Sequence, residues 1–299
     1  MSQSSTFQLT IKKDVKSSQL PSEDAILSAA REILASTPTW KRGKSYHNNR
    51  VHTYSRAKGT GDGAGWHCRV SEHTADEATF DEFWNTLGKS HSENETKYMK
   101  DVKKAELLKE ISPSQAIWSM YYEFVHPISP RHFTVLQVAH LDESSPQRHG
   151  TFVSVPIDVS DDADMFKREF KATKGTYTSV ESIKELPNGK VEWRMATSSS
   201  PGGKIPSWIV ENTMAGTIAA DVTHFLDWYK TVRPKRNDAA VATSQTLPAD
   251  QADEAAPATA APVTNTADAD LLTSGSPIGL PVPGINPATT AAPSTGVMV

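Results

Sequence analysis

One cysteine, Cys68, serves a chain of 299 residues. A lone thiol excludes an internal disulfide framework and any metal site built from several thiolates, and it makes a reducing, cytoplasmic location the expectation. Long hydrophobic runs are missing too. No window approaches 18 consecutive apolar residues, and the first 30 residues carry Lys and Asp throughout, so neither a transmembrane helix nor a signal peptide is expected. An excess of positive charge is also lacking. The 31 basic and 35 acidic residues sum to −4, which leaves no general field for holding nucleic acid.

Aromatic residues are absent beyond Tyr229. From Arg233 to Val299 the chain has 15 Ala and 9 Pro and no Trp, Tyr, Phe or His, too little apolar surface to offset the entropy of ordering the backbone. Residues 232–299 therefore read as a disordered Ala/Pro-rich tail, residues 1–20 as an N-terminal segment and 21–231 as one folded domain.

Catalytic and metal signatures are scarce. Neither a G-x-S-x-G elbow nor an H-E-x-x-H helix occurs. The glycine-rich run Gly59–Gly65 lacks the Lys and hydroxyl of a phosphate loop and joins two apparent strands, so it reads as a hairpin loop. His91 and Glu95, four apart, read as an exposed helical pair. His132 and His140 share a parity but lie about 26 Å apart along a strand. No metal and no cofactor are expected. Cys68 reads as a buried thiol, with Trp66, Cys68 and Val70 on the interior face of their strand and Arg69 on the other.

What is present is a succession of periodic segments. Ser22 is an N-cap before a short amphipathic helix over Asp24–Leu34. Strands are predicted near 51–58 and 66–72, a helix through Phe80, Phe83, Trp84 and Leu87 ending near Gly88, and further interrupted helix over Ser90–Ile111. The period then changes to two. Trp118, Met120, Tyr122 and Phe124 alternate with Ser119, Tyr121 and Glu123, and a strand follows over His132–Leu141. Val153, Val155, Ile157 and Val159 alternate in the next, and two more strands, near 176–186 and 190–198, meet at an Asn188-Gly189 turn. A helix of about 24 residues, Pro206 to Lys230, closes the domain with Met214, Ile218 and Val222 on its apolar stripe. The fold class is α+β: an antiparallel sheet closed by a long C-terminal helix.

Two separate segments carry a family likeness. Ile128–Leu136, ISPRHFTVL, resembles the segment leading into a central strand of steroidogenic-acute-regulatory-related lipid-transfer (START) domains, and PGGKIPSWIVENTMAGTIAADVTHFL resembles their final turn and helix. The segments WHCRVSEH, FDEFW and HSENETKYM further resemble the fungal START-like family DUF3074. This resemblance implies a helix-grip fold, a curved antiparallel sheet around the C-terminal helix with an internal hydrophobic cavity. Ser129, Pro130, Arg131, Gly202, Gly203, Ile205, Pro206 and Trp208 match its structural motifs, and His132 stands where the motif often has aspartate.

The resemblance implies non-catalytic binding or transfer of a lipid or other hydrophobic small molecule, with transient membrane contact and no nucleic acid. A polyketide cyclase or aromatase-like enzyme of secondary metabolism using the same cavity, and a filled-core interaction domain, are the alternatives, and no catalytic residue is assigned. The cavity-lining candidates are Trp118, Met120, Tyr122, Phe124, Val153, Val155, Ile157, Trp193, Met195, Met214, Ile218 and Val222.

Overall fold

The computed structural model describes residues 7–234, apart from 13, 89–90, 125 and 127. Most of the tail expected at 232–299 lies outside the described residues, which stop at Pro234. The strands are β1 (Val15–Lys16), β2 (Lys41–Tyr46), β3 (Val51–Arg56), β4 (Trp66–His73), β5 (Val102–Ser112), β6 (Gln115–Tyr122), β7 (Arg131–Asp142), β8 (His149–Asp158), β9 (Thr173–Lys174), β10 (Thr176–Glu185) and β11 (Val191–Ser200). The helices are α1 (Glu23–Ser36), α2 (Phe80–Phe83), α3 (His91–Tyr98), α4 (Ala163–Arg168) and α5 (Ser207–Val232).

The main sheet runs β2-β3-β4-β11-β10-β8-β7-β6-β5, antiparallel at every step, with β1 added to β8 and β9 to β7 in parallel. Each hairpin has a local cause. The β10–β11 turn places Gly189 at φ +76°, a conformation that costs a glycine little. The Gly59–Gly65 run joins the paired strands β3 and β4, as a hairpin loop should.

Both faces of the sheet are covered. On one side α1 buries Ile26, Leu27, Ala29 and Ala30, with Ser22 capping it through a 3.3 Å bond from the Ala25 amide. These residues pack with Trp66, Cys68, Ile117, Leu136, Val155 and Ile157. On the other side lies α5, 26 residues and about 39 Å long. Its Phe225 stacks on Phe83 at 5.3 Å and on Tyr229 at 5.7 Å, and meets Trp193 edge-on at 5.2 Å. The N-terminal segment also joins the fold, for Leu9 is 1% exposed and β1 pairs with β8.

Two expectations change. Helix was expected across 90–111, but α3 ends at Tyr98 and Val102–Ser112 is the edge strand β5. Three register shifts along β5, between Val102 and Lys104, Leu107 and Lys109, and Glu110 and Ser112, break the period-two alternation that would mark a strand. The parity assigned to β4 also changes meaning. Trp66 and Cys68 are buried, but against the α1 layer, while Arg69 points to the α5 side and is 1% exposed.

Candidate functional site

The register of the sheet sets out which side chains share its α5-facing surface. One cross-strand row runs Thr53, Arg69, Met195, Glu181, Phe152 and Ala139, each paired with the next. The row beside it runs His67, Thr197, Ser179, Ser154, Gln137 and Ala116. These two rows are thus rich in hydroxyl, amide and charged groups, whereas the face under α1 is mostly aliphatic.

A cavity of about 830 Å³ opens over the β5–β8 and β10 part of this face. Trp118, Ala139, Phe152 and Ser154 belong to its floor, and Trp84, Leu87 and Gly88 of the π-helical turn after α2, with His91 and Ser92 of α3, to its roof. Trp84 stacks on Phe152 at 5.4 Å. A Cβ on Gly88 would come within 2.8 Å of the Phe152 ring and 2.9 Å of the Trp84 ring, so the close passage of the roof over the floor requires glycine there. The lining residues most open to solvent are Glu93, Leu107, Glu110 and Pro113. They mark the mouth, beside the β5–β6 turn.

At the inner end His91, Ser179 and Glu181 are shared with a smaller void of about 20 Å³, walled also by Arg69, Glu95, Tyr98, Trp193 and Asp221. Arg69 Nη2 donates to Glu181 Oε1 at 2.8 Å, and Trp193 Nε1 donates to the same oxygen at 2.7 Å. The guanidinium carbon lies 4.0 Å from the Trp193 ring centroid, a cation–π contact that adds to the pair. Asp221 of α5 is buried, and burial raises its pKa well above the usual carboxylate range. Burial alone would lower His91, but the Glu95 carboxylate at 3.5 Å, helped by Glu181, outweighs it and brings the imidazole to about 9. His91 and Glu95 do share a helical face, though a buried one, with Glu95 5% exposed.

The sequence-based cavity candidates separate clearly. Trp118 and Val153 border the main cavity, and Trp193 and Met195 the small void. Met120, Tyr122 and Val222 pack in the aromatic core, with Phe124 against it. Met214 and Ile218 pack with Met195 and Val210. Val155 and Ile157, together with the greater part of the Val153 packing, belong to the α1 layer. Sequence reading missed Trp84, Leu87, Phe152 and Glu181. The signal for Phe152 and Glu181 was their parity, opposite to the aliphatic one.

The motif residues build a junction away from the cavity. Arg131, 3% exposed, donates through Nε to Pro201 O at 2.9 Å and through Nη1 to Ser129 O and Oγ and to Pro130 O. It thereby ties the start of β7 to the turn before α5. Gly202 and Gly203 of that turn have φ +65° and +66°. Ile205 packs toward Met195 and Met214, Pro206 precedes α5, and Trp208 is 64% exposed. His132 turns to Ala172 O at 3.0 Å and Glu169 at 3.7 Å, and burial lowers its pKa. Cys68 is buried, which pushes its thiol up to about 12 and leaves it unreactive. Among the described residues no group of three or more His, Cys, Asp or Glu is placed to hold a metal ion. No helix among them is long and apolar enough to cross a membrane.

No curated protein matches the sequence significantly. Solved structures match the fold. The human StarD13 (DLC2) lipid transfer and protein localization domain superposes with a TM-score of 0.52 at 15% identity, over 70% of this chain and 98% of that one. Human StAR-related lipid transfer protein 5 gives 0.57 at 15% identity, over 71% and 96%. Human STARD10 gives 0.50 at 12% identity, over 70% and 80%. The architecture is therefore a START-like helix grip, as the resemblance implied. The family model described as a protein of unknown function (DUF3074) matches residues 66–229, more than half of the sequence, and the chain belongs to that family.

Proposed function

We propose that the protein binds a lipid or other hydrophobic small molecule in the 830 Å³ cavity and carries it chemically unchanged. The observation behind this reading is the cavity itself: a space of ligand size, walled by Trp84, Leu87, Trp118 and Phe152 and opening beside the β5–β6 turn. Each buried methylene of an occupant contributes roughly 0.8 kcal/mol, so a chain of ten or so carbons supplies the bulk of the affinity. The lipid-transfer names of the human proteins that share the fold support the same reading. Loading and release take place at a membrane surface, where such cargo resides.

The test is transfer of a fluorescent lipid between donor and acceptor vesicles by the full chain, beside an Ala139→Trp variant. Ala139 lies in the cavity floor, across from Phe152, so an indole there fills the space. Transfer by the wild type and its loss in a variant with unchanged circular dichroism supports carriage. Equal transfer by both removes the cavity from the explanation.

A further inference from the structure

The charges around the cavity are unevenly distributed. Among the described residues Glu23, Glu93, Glu110 and Glu181 line it, with His91 as the one cationic side chain. The inner charges are matched, His91 to Glu95 at 3.5 Å and Glu181 to Arg69 at 2.8 Å. Of the outer ones only Glu23 has such a partner among the described residues. Glu23 accepts from Ser114 Oγ at 2.7 Å and lies 3.8 Å from His140, while Glu93 and Glu110 form no ion pair among the described residues.

Strand register explains why Lys109 does not neutralise Glu110. Glu110 pairs with Ala116, a cavity-lining residue, whereas Lys109 pairs with Ile117, which packs in the α1 layer. Successive residues of a strand point to opposite faces, so the Lys109 side chain leaves the mouth. The inner end holds a second, independent sign of a ligand. Glu95 Oε2 is a buried acceptor, and Arg69 Nε and Nη1 are buried donors, without hydrogen-bond partners among the described residues, and both residues border the small void. A void of about 20 Å³ has room for a hydroxyl-sized group that both donates and accepts.

We propose that the cavity selects its occupant by charge, taking a cationic or uncharged amphiphile and rejecting an anionic one, with Glu93 and Glu110 at the mouth as the specificity-determining residues. This rests on the carrier reading and adds the class of cargo. An ammonium group at the mouth meets two carboxylates that form no ion pair among the described residues, while a carboxylate or phosphate there meets like charge. Because the rim is solvated, screening holds each interaction to a modest size.

The test uses dodecylammonium, dodecanol and dodecanoate, each below its aggregation concentration, displacing the uncharged dye Nile red from the full chain at pH 7. Dodecylammonium is expected to bind on the order of tenfold more tightly than dodecanoate, with dodecanol between them. In a Glu93→Gln/Glu110→Gln variant the preference for dodecylammonium over dodecanoate should fall below about threefold. Dodecanoate binding as tightly as dodecylammonium overturns the charge selection and leaves the carrier reading standing, because dodecanol still binds. A preference that survives in the double variant overturns the role of the two rim residues. Failure of all three to displace the dye overturns the carrier reading itself, and the charge selection with it.

Discussion

The guanidinium of Arg69 on β4 reaches across the Trp193 ring of β11 to the carboxylate of Glu181 on β10, 2.8 Å away and two strands distant. Both side chains are more than nine-tenths buried. Loss of one partner strands the other charge in a medium that solvates it poorly. Arg69→Met and Glu181→Leu alone are each expected to cost about 3–5 kcal/mol in urea denaturation, and the double variant much less than their sum. Additive losses would mean that the two groups do not act as a pair.

Asp221 lies near the same pair, and burial raises its pKa well above the usual carboxylate range. A folded-state pKa raised above the unfolded value gives stability that is present at acid pH and lost as the pH rises. Asp221→Asn removes that loss. The variant should therefore be more stable than the wild type by more than about 1 kcal/mol at pH 7, with the gap closing toward pH 4. A constant gap across that range would show that the Asp221 pKa does not differ between the folded and unfolded states.

Gly202 has φ +65°, and a Cβ there would lie 2.1 Å from the carbonyl oxygen of Lys174. Backbone cannot move aside as a flexible side chain can. Gly202→Ala should lower stability by well over 1 kcal/mol, seen as a lower thermal midpoint, while Gly189→Ala, with nothing within 4 Å of the added carbon, should cost less. Equal losses would leave the φ penalty alone to explain both.

Much of this architecture is legible in the sequence, because alternation marks a strand wherever the ladder is regular. The β10–β11 hairpin followed from Asn188-Gly189, the length of α5 from its apolar spacing, and α1 from Ser22 and Ile26-Leu27. β5 was not legible, since its three register shifts scatter the pattern. The cavity face was not legible either, for a physical reason. Alternation finds two faces but names neither, and here both are buried. The aliphatic parity of Val155 and Ile157 went to the α1 layer, and the mixed parity of Phe152, Ser154 and Glu181 borders the cavity. A short amphipathic helix ahead of the sheet was the clue that a second apolar layer existed.

The most direct test of cavity binding is native mass spectrometry of the full chain, purified without detergent, with solvent extraction of whatever it retains. The account predicts an extra mass, at up to one per chain, that extracts as an apolar amphiphile and is absent from Ala139→Trp. A chain at its bare mass that also fails to take up added dodecanol would contradict it.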